Sequence, residues 1–283
     1  MEKRALLAEF LNEDIGTGDV TSNLLIPEGI KYSAKIICKH DNDGATDIIV
    51  SGLDEAQNIF DICDCTTYAL VNEGSSIKKR SDVLLIEGSA RSILKAERTA
   101  LNFLMRMSGI STKTRQFIKK MGEYSSVVAV SSTRKTAPGL RYFDKRAVVL
   151  GGGISHRIRL DQLVLIKDNH IAVVGSVKKA VDMVKSRFGS KRRVECEVVD
   201  FQGILDAIEA GADIVMLDNF PPELVASSLK KVKELGLREK VIVEVSGGIT
   251  LDNIYDYARS KPDVISIGSL THSVQAIDYS LEI

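Results

Sequence analysis

Apolar residues follow two rhythms along this chain. The first hundred residues mix them: a helical start, extended stretches at "YSAKIICKH" and "DVLLIEGSA", and a helical pattern over "SGLDEAQNIFDI". A longer helix follows in "RSILKAERTALNFLMRMSGI", where Leu94, Leu101, Leu104 and Met105 track one face and Gly109 is expected to mark its end. After residue 120 the pattern turns regular. The β-branched runs "SVVAVSS", "QLVLIKD", "VECEVVD", "DIVMLDN", "VIVEVSGG" and "DVISIGS" recur, with helical stretches such as "GSVKKAVDMVKSRF" and "FQGILDAIEAGA" between several of them. Apolar runs alternating with helices predict βαβ units and a parallel sheet, and six runs over roughly 150 residues suit an incomplete α/β barrel better than an open sheet.

The ends of those runs carry polar residues in a repeating register. In order they deliver Arg134 and Lys135, Lys167, Glu197, Asp218, Ser246 with Gly247 and Gly248, and Gly268. In a barrel, the carboxyl ends of parallel strands converge on one mouth, where such enzymes place their chemistry. Glu195, two residues before Glu197, is expected on the opposite face of its strand.

Composition narrows the function classes. The chain has 283 residues, 38 basic and 38 acidic, and no long basic arm, so nonspecific nucleic-acid binding is excluded and any anion recognition must be local. The start "MEKRALLAEFLNEDIG" mixes charges into its apolar positions, and no stretch approaches the ~20 apolar residues of a membrane span. A cytoplasmic protein with no membrane partner is the expectation. The cysteines Cys38, Cys63, Cys65 and Cys196 are too few for a disulfide framework, and the C-x-C lacks a second pair at zinc spacing.

Within about 35 residues lie Arg134, Lys135, His156, Arg157 and Lys167. Clustered cations repel unless water or an anion offsets them, so "SSTRKTAPGLR" is either a solvated turn or part of an anion site. Arginine pairs with carboxylate or phosphate through two parallel hydrogen bonds, which suits a small substrate with two or more anionic groups. His156 could orient a carboxylate, transfer a proton or be structural; His170 and His272 read as structural. The glycines of "GGGISHR" and of "VSGGI" would let backbone N–H groups approach an anion, the second pair directly before an expected helix in "ITLDNIYDYA". Glu197 and Asp218 could hold Mg²⁺ directly or through water, stabilise positive charge developing on a substrate, or only pair with lysines.

Taken together, "EDIGTGDVTS", "ERTALNFLMRMSGIST", "TRKTAPGLR", "GGGISHR", "VLIKDNHI", "VECEV", "VMLDN", "VSGGI" and "ISIGSLTHS" resemble the quinolinate phosphoribosyltransferase family from about residue 13 to residue 280. The resemblance implies an α/β chain with two parts. An amino-terminal α/β sandwich-like domain, 1–108, would be joined by the tail 271–283, and an incomplete α/β barrel would span 109–270. It implies a glycosyltransferase that joins quinolinate to phosphoribosyl pyrophosphate with Mg²⁺, giving nicotinate mononucleotide, pyrophosphate and CO₂ in NAD biosynthesis. Carried over by position, Thr133, Arg134, His156, Arg157 and Lys167 bind quinolinate, with Arg98 reaching in from a neighbouring subunit of a homodimer or higher even homo-oligomer. Lys135 lies beside the reacting centre, Glu197 and Asp218 face ribose and metal, and Ser246, Gly247, Gly248, Ile267, Gly268 and Ser269 receive phosphate.

Two positions depart from the family's pattern: Ser132 stands where aspartate is usual and Arg159 where glycine is usual, both making the pocket more cationic. The region 39–52 also reads longer than the family's turn. Three other readings compete. One is a paralogue found with molybdate-transport genes, against which "IKDNH" argues. A Schiff-base aldolase would use Lys167, and a binding protein would keep the scaffold without the chemistry.

Overall fold

The computed structural model describes residues 3–40 and 47–283, so the core of the expected longer turn, residues 41–46, lies outside the described residues. The chain divides into two compact units, one comprising residues 1–113, 149–151 and 274–283, the other residues 114–148 and 152–273.

The first unit is built on a four-stranded antiparallel sheet in the order Tyr279–Glu282, Lys31–Cys38, Asp82–Ser89, Thr66–Ala69. Alternation puts Ala34, Ile36 and Cys38 on the buried face of the second of these strands, as period two requires. The helix Leu53–Ile62 buries Leu53, Ala56, Ile59 and Phe60, and the helix Lys3–Ile15 packs on it through Leu7 and Leu11. In "GTGDVTS" the Asp19 carboxylate accepts the Ser22 N–H at 2.9 Å and caps the short helix Val20–Leu25.

The long helix does not end at Gly109: it runs Ala90–Lys120. A Cβ on Gly109 would stand 2.1 Å from the carbonyl oxygen of Gln275, so the glycine makes room for the returning carboxyl-terminal segment. Close packing, and not a helix stop, explains this residue.

All six apolar runs of the second unit are strands: β1 (Ala129–Ser131), β2 (Val164–Ile166), β3 (Val194–Val198), β4 (Ile214–Asp218), β5 (Ile242–Ser246) and β6 (Val264–Ser266). They form one parallel sheet in the order β1-β6-β5-β4-β3-β2, so from β2 onward each strand lies beside its successor, β6 returns to β1, and among the described residues β1 and β2 are not paired. This is the incomplete α/β barrel read from the sequence. The helices Val177–Phe188 and Phe201–Glu209 occupy the expected stretches between strands. Residues such as Cys196, Val215, Leu217, Val243, Val245 and Ile265 are fully buried, the pattern of parallel strands covered on both faces.

Candidate active site

Every strand of the barrel contributes, at or just beyond its carboxyl end, to one cavity of about 490 Å³. β1 leads into Ser132, Thr133, Arg134 and Lys135; β2 gives Leu165 and Lys167; β3 gives Glu197; β4 gives Met216, Asp218 and Asn219. β5 gives Glu244, Ser246, Gly247 and Gly248, β6 gives Ser266, and the loop after β1's helix adds His156 and Arg157. Strands that all reach one cavity must curl around it, which ties the topology to the site. The volume lies within the usual range for small-molecule sites.

The charges inside are strongly interdependent. Lys167 Nζ donates to Glu197 Oε2 at 2.8 Å, the glutamate nearly buried and the lysine half exposed. Burial, then the charge of Glu197, pushes the Asp218 carboxyl above its ordinary value, while Lys167, Asn219 and Lys135 pull it back. Asn219 Nδ2 donates to Asp218 Oδ2 at 2.6 Å, and Asn219 itself sits at φ +57°. Across the cavity, burial and then the neighbouring Arg134 press the Arg157 guanidinium below its usual range. Arg157 Nη1 is anchored on the Leu163 carbonyl at 2.9 Å. Arg134 keeps a buried Nε–H with no hydrogen-bond partner among the described residues. A buried guanidinium N–H without an acceptor costs free energy, so this position has the chemistry of an anion site.

His156 is held from behind. Its Nε2 lies 2.9 Å from Glu195 Oε2 and 3.7 Å from Glu244 Oε2. Burial opposes its positive form, but the hydrogen bond and charge of Glu195, joined by Glu244, outweigh that and raise its pKa. Burial and the charge of Glu195 push Glu244 up to about 7. His156, Glu195 and Glu244 are the one trio among the described residues whose ligand atoms gather closely enough for a metal. Lys145, buried beside them, counts against a cation there.

The cavity thus gathers Thr133, Arg134, Lys135, His156, Arg157, Lys167, Glu197, Asp218, Ser246, Gly247 and Gly248 from the sequence-derived set. Ile267 is buried and its N–H donates to the Ser131 carbonyl at 2.9 Å, so neither its side chain nor its N–H is offered to a phosphate. Gly268 adjoins Lys135, whose Cδ a Cβ there would meet at 3.2 Å, and Ser269 begins the short helix Ser269–His272. Arg98 belongs to the other compact unit, on the helix Ala90–Lys120, with its side chain 59% exposed.

Four local expectations change. Glu195 and Glu197 share a face, because residues two apart in a strand point the same way; Glu195 lies one layer below, against His156. The helix expected directly behind Gly248 begins only at Ile254 and has five residues. Asn253 instead closes a turn, accepting the Thr250 N–H at 2.8 Å and donating to the Gly248 carbonyl at 3.0 Å. Gly153 does not line the cavity: its Cβ would meet Val148, the Val130 carbonyl and Thr114 at 2.8–3.0 Å, so it serves packing. Arg159 points outward into an exposed pair with Asp161 at 3.1 Å. His170, read as structural, accepts the Lys167 N–H at 2.9 Å and fixes that residue's backbone.

Sequence reasoning missed Glu244, Ser266, Leu165 and Met216, and the signal that finds them is period two. Each stands two residues before a mouth residue, at Ser246, Gly268, Lys167 and Asp218 respectively, and forms the layer beneath it. Lys167 also lacks the setting of a Schiff-base lysine, which is a desolvated amine, since it is half exposed and paired to a carboxylate.

Models of the quinolinate phosphoribosyl transferase amino-terminal and carboxyl-terminal domains match residues 19–108 and 110–282. The chain is 44% identical over 280 residues to the probable nicotinate-nucleotide pyrophosphorylase (carboxylating) of Methanocaldococcus jannaschii, covering 98% of this chain and 96% of that one. It is 34% identical to the corresponding Bacillus subtilis protein, with 100% and 94% covered. Among solved structures, the nicotinate-nucleotide pyrophosphorylase of Francisella tularensis superposes with a TM-score of 0.89 at 37% identity, covering 99% of this chain and 95% of that one.

Proposed function

Because this chain belongs to the quinolinate phosphoribosyltransferase family, we propose that its barrel cavity is where it joins quinolinate to phosphoribosyl pyrophosphate. The products are nicotinate mononucleotide, pyrophosphate and CO₂, and the reaction serves NAD biosynthesis. The observation that carries the placement is the open, buried Arg134 Nε–H beside Arg157 in a cavity whose other wall holds Glu197 and Asp218.

Arg134 and Arg157 take the two ring carboxylates, with His156, Lys167 and Thr133 completing their surroundings. Each charge-assisted hydrogen bond contributes about 1.5–3 kcal/mol, enough for a few to fix the ring's orientation. The pyridine nitrogen then displaces pyrophosphate from the anomeric carbon through an oxocarbenium-like state. Glu197 and Asp218 place negative charge where that positive charge develops, and holding both substrates in one cavity supplies the orientation. Lys135 lies beside the reacting centre. Ser246 and the glycines Gly247 and Gly248, at φ +97° and +62°, accept phosphate without side-chain hindrance.

Two neighbouring carboxylates, with no third among the described residues close enough to complete a cage, fit Mg²⁺, which is commonly held by one or two carboxylates together with substrate phosphates. When bound through Glu197 and Asp218, directly or by water, it would neutralise charge on the leaving pyrophosphate. Loss of CO₂ from ring position 2 breaks the carbon–carbon bond and leaves its electron pair on the carbon beside the now cationic nitrogen; a proton then takes that pair. Tight pairing of arginine with the departing carboxylate would oppose its loss, so these cations act chiefly in positioning.

The exposed Arg98, only loosely paired with Glu97 at 3.9 Å, is free to enter a neighbouring subunit's site, which supports a homodimer or a higher even assembly. No helix among the described residues is long and apolar enough to cross a membrane. The direct test supplies quinolinate labelled at the 2-carboxylate, phosphoribosyl pyrophosphate and Mg²⁺. Labelled CO₂ should appear in one-to-one yield with nicotinate mononucleotide, and its absence would end this reading.

A further inference from the structure

One buried charge beneath the cavity has no task in the reaction as described. Lys145, on the helix Arg141–Leu150, is 2% exposed. Among the described residues its ammonium donates to two acceptors, both uncharged: Ser132 Oγ at 3.2 Å and the main-chain carbonyl of His156 at 2.9 Å. The charged groups facing it are Arg141 on its own helix, Arg134 after β1, His156 on the following loop and Glu244 on β5, of which only Glu244 is acidic. Ser132 is itself fully buried and directly precedes Thr133 and Arg134, while His156 directly precedes Arg157. The ammonium therefore ties together the two chain segments that carry the arginines.

We propose that Lys145, seated against Ser132 in place of a carboxylate, is a positioning residue for the dianionic substrate. It fastens the Arg134 and Arg157 segments to each other and sets beneath them a positive charge that only Glu244 faces with an acidic group. The proposal rests on the reading that the cavity takes quinolinate. Burial, then the charges of Arg141 and Arg134, bring the Lys145 pKa down to about 8. Lys145 is thus charged below that pH and neutral above it, so its help to an anion is present at pH 7 and lost as the pH climbs through 8. His156 also sheds charge on the alkaline side, so a comparison of variants at Ser132 isolates the contribution of Lys145.

The test measures KM for quinolinate, with phosphoribosyl pyrophosphate saturating, from pH 6.5 to 9.5 in wild type, Ser132→Asp and Ser132→Asn. A carboxylate at 132 would pair with Lys145, cancel its charge and hold its proton to higher pH. Wild type and Ser132→Asn should therefore show KM rising through pH 8 by roughly tenfold, the equivalent of about 1.4 kcal/mol of lost attraction. Ser132→Asp should start with a higher KM at pH 7 and rise less, keeping only the part owed to His156 and Glu244, while kcat changes less than KM. In parallel, the ¹³Cε resonance of Lys145, assigned by its loss in Lys145→Met, should titrate near pH 8 in wild type and at least one unit higher in Ser132→Asp.

Superimposable KM profiles for Ser132→Asp and wild type, or a wild-type Lys145 that titrates at the ordinary 10.5, would overturn the proposal. If wild type titrates as stated but releases no product from quinolinate, the function reading falls and the pairing of Lys145 with Ser132 stands.

Discussion

Replacing Arg134 by alanine should damage substrate binding without damaging the fold. Among the described residues its buried Nε–H has no partner, so truncation breaks no hydrogen bond from that atom to another part of the chain. It also removes a charge that pushes against both Arg157 and Lys145. With substrate present the guanidinium offers a carboxylate up to two parallel charge-assisted bonds, about 1.5–3 kcal/mol each. Water filling the vacated space recovers part of this, leaving about 3–4 kcal/mol. At 1.4 kcal/mol per factor of ten, KM for quinolinate should rise by roughly 10² to 10³. Because these bonds form in the ground state as well as in the transition state, kcat should fall less than about tenfold. Arg134→Lys should recover little, since lysine cannot reproduce the planar fork. The assay is steady-state release of labelled CO₂ at saturating phosphoribosyl pyrophosphate, with thermal unfolding measured alongside. The melting temperature should hold or rise, as when a strained binding residue is removed. A KM within about threefold of wild type, or a melting temperature lower by more than about 5 °C, would refute the reasoning.

Other outcomes follow from the same geometry. Asp218→Ala should lower kcat more than it raises KM for quinolinate, and its Mg²⁺ requirement should shift to higher concentration; an unchanged kcat would put the carboxylate outside the reaction. Gly247→Ala would drive a Cβ to 2.2 Å from Asn219 Oδ1 at φ +97°, displacing the side chain that bonds Asp218, so KM for phosphoribosyl pyrophosphate should rise well beyond any change for quinolinate. Glu244 carries a folded-state pKa of about 7 against an ordinary 4.5, so between those values the native state keeps a proton that the unfolded chain has released. Its contribution to stability therefore falls as pH rises through that window. Glu244→Gln should flatten this fall in calorimetric melting temperature, whereas equal slopes in both proteins would show that Glu244 is ionised throughout.

The barrel was legible because six β-branched runs, each ending in a polar or glycine residue, can satisfy the hydrophobic pattern and the polar register together only as parallel strands around one mouth. The mouth residues followed from that register, down to the meeting of Arg134 with Glu197 and Asp218 in one cavity. The layer beneath was less visible. Glu195, Glu244 and Lys145 look like ordinary surface charges in sequence, and only three-dimensional closure buries them against His156. Period two does place Glu195 inside with Glu197, and Glu244 inside with Ser246. Lys145 has no comparable signal, because its helix also carries Arg141 and Arg146 and nothing local tells which cation turns inward. Glycines misled for a related reason: Gly109 and Gly153 answer to a carbonyl or side chain distant in sequence, which local pattern cannot reveal.

The central claim is that folding gathers scattered cations into one cup that grips a doubly acidic pyridine beside an activated sugar. A crystal structure with quinolinate bound tests it most directly. The expected result is a carboxylate oxygen about 3 Å from Arg134 Nε, the second carboxylate on Arg157, and the ring nitrogen facing the wall of Glu197 and Asp218. Quinolinate bound elsewhere on the chain, or seated in the cavity with the Arg134 Nε–H still unpartnered, would contradict it.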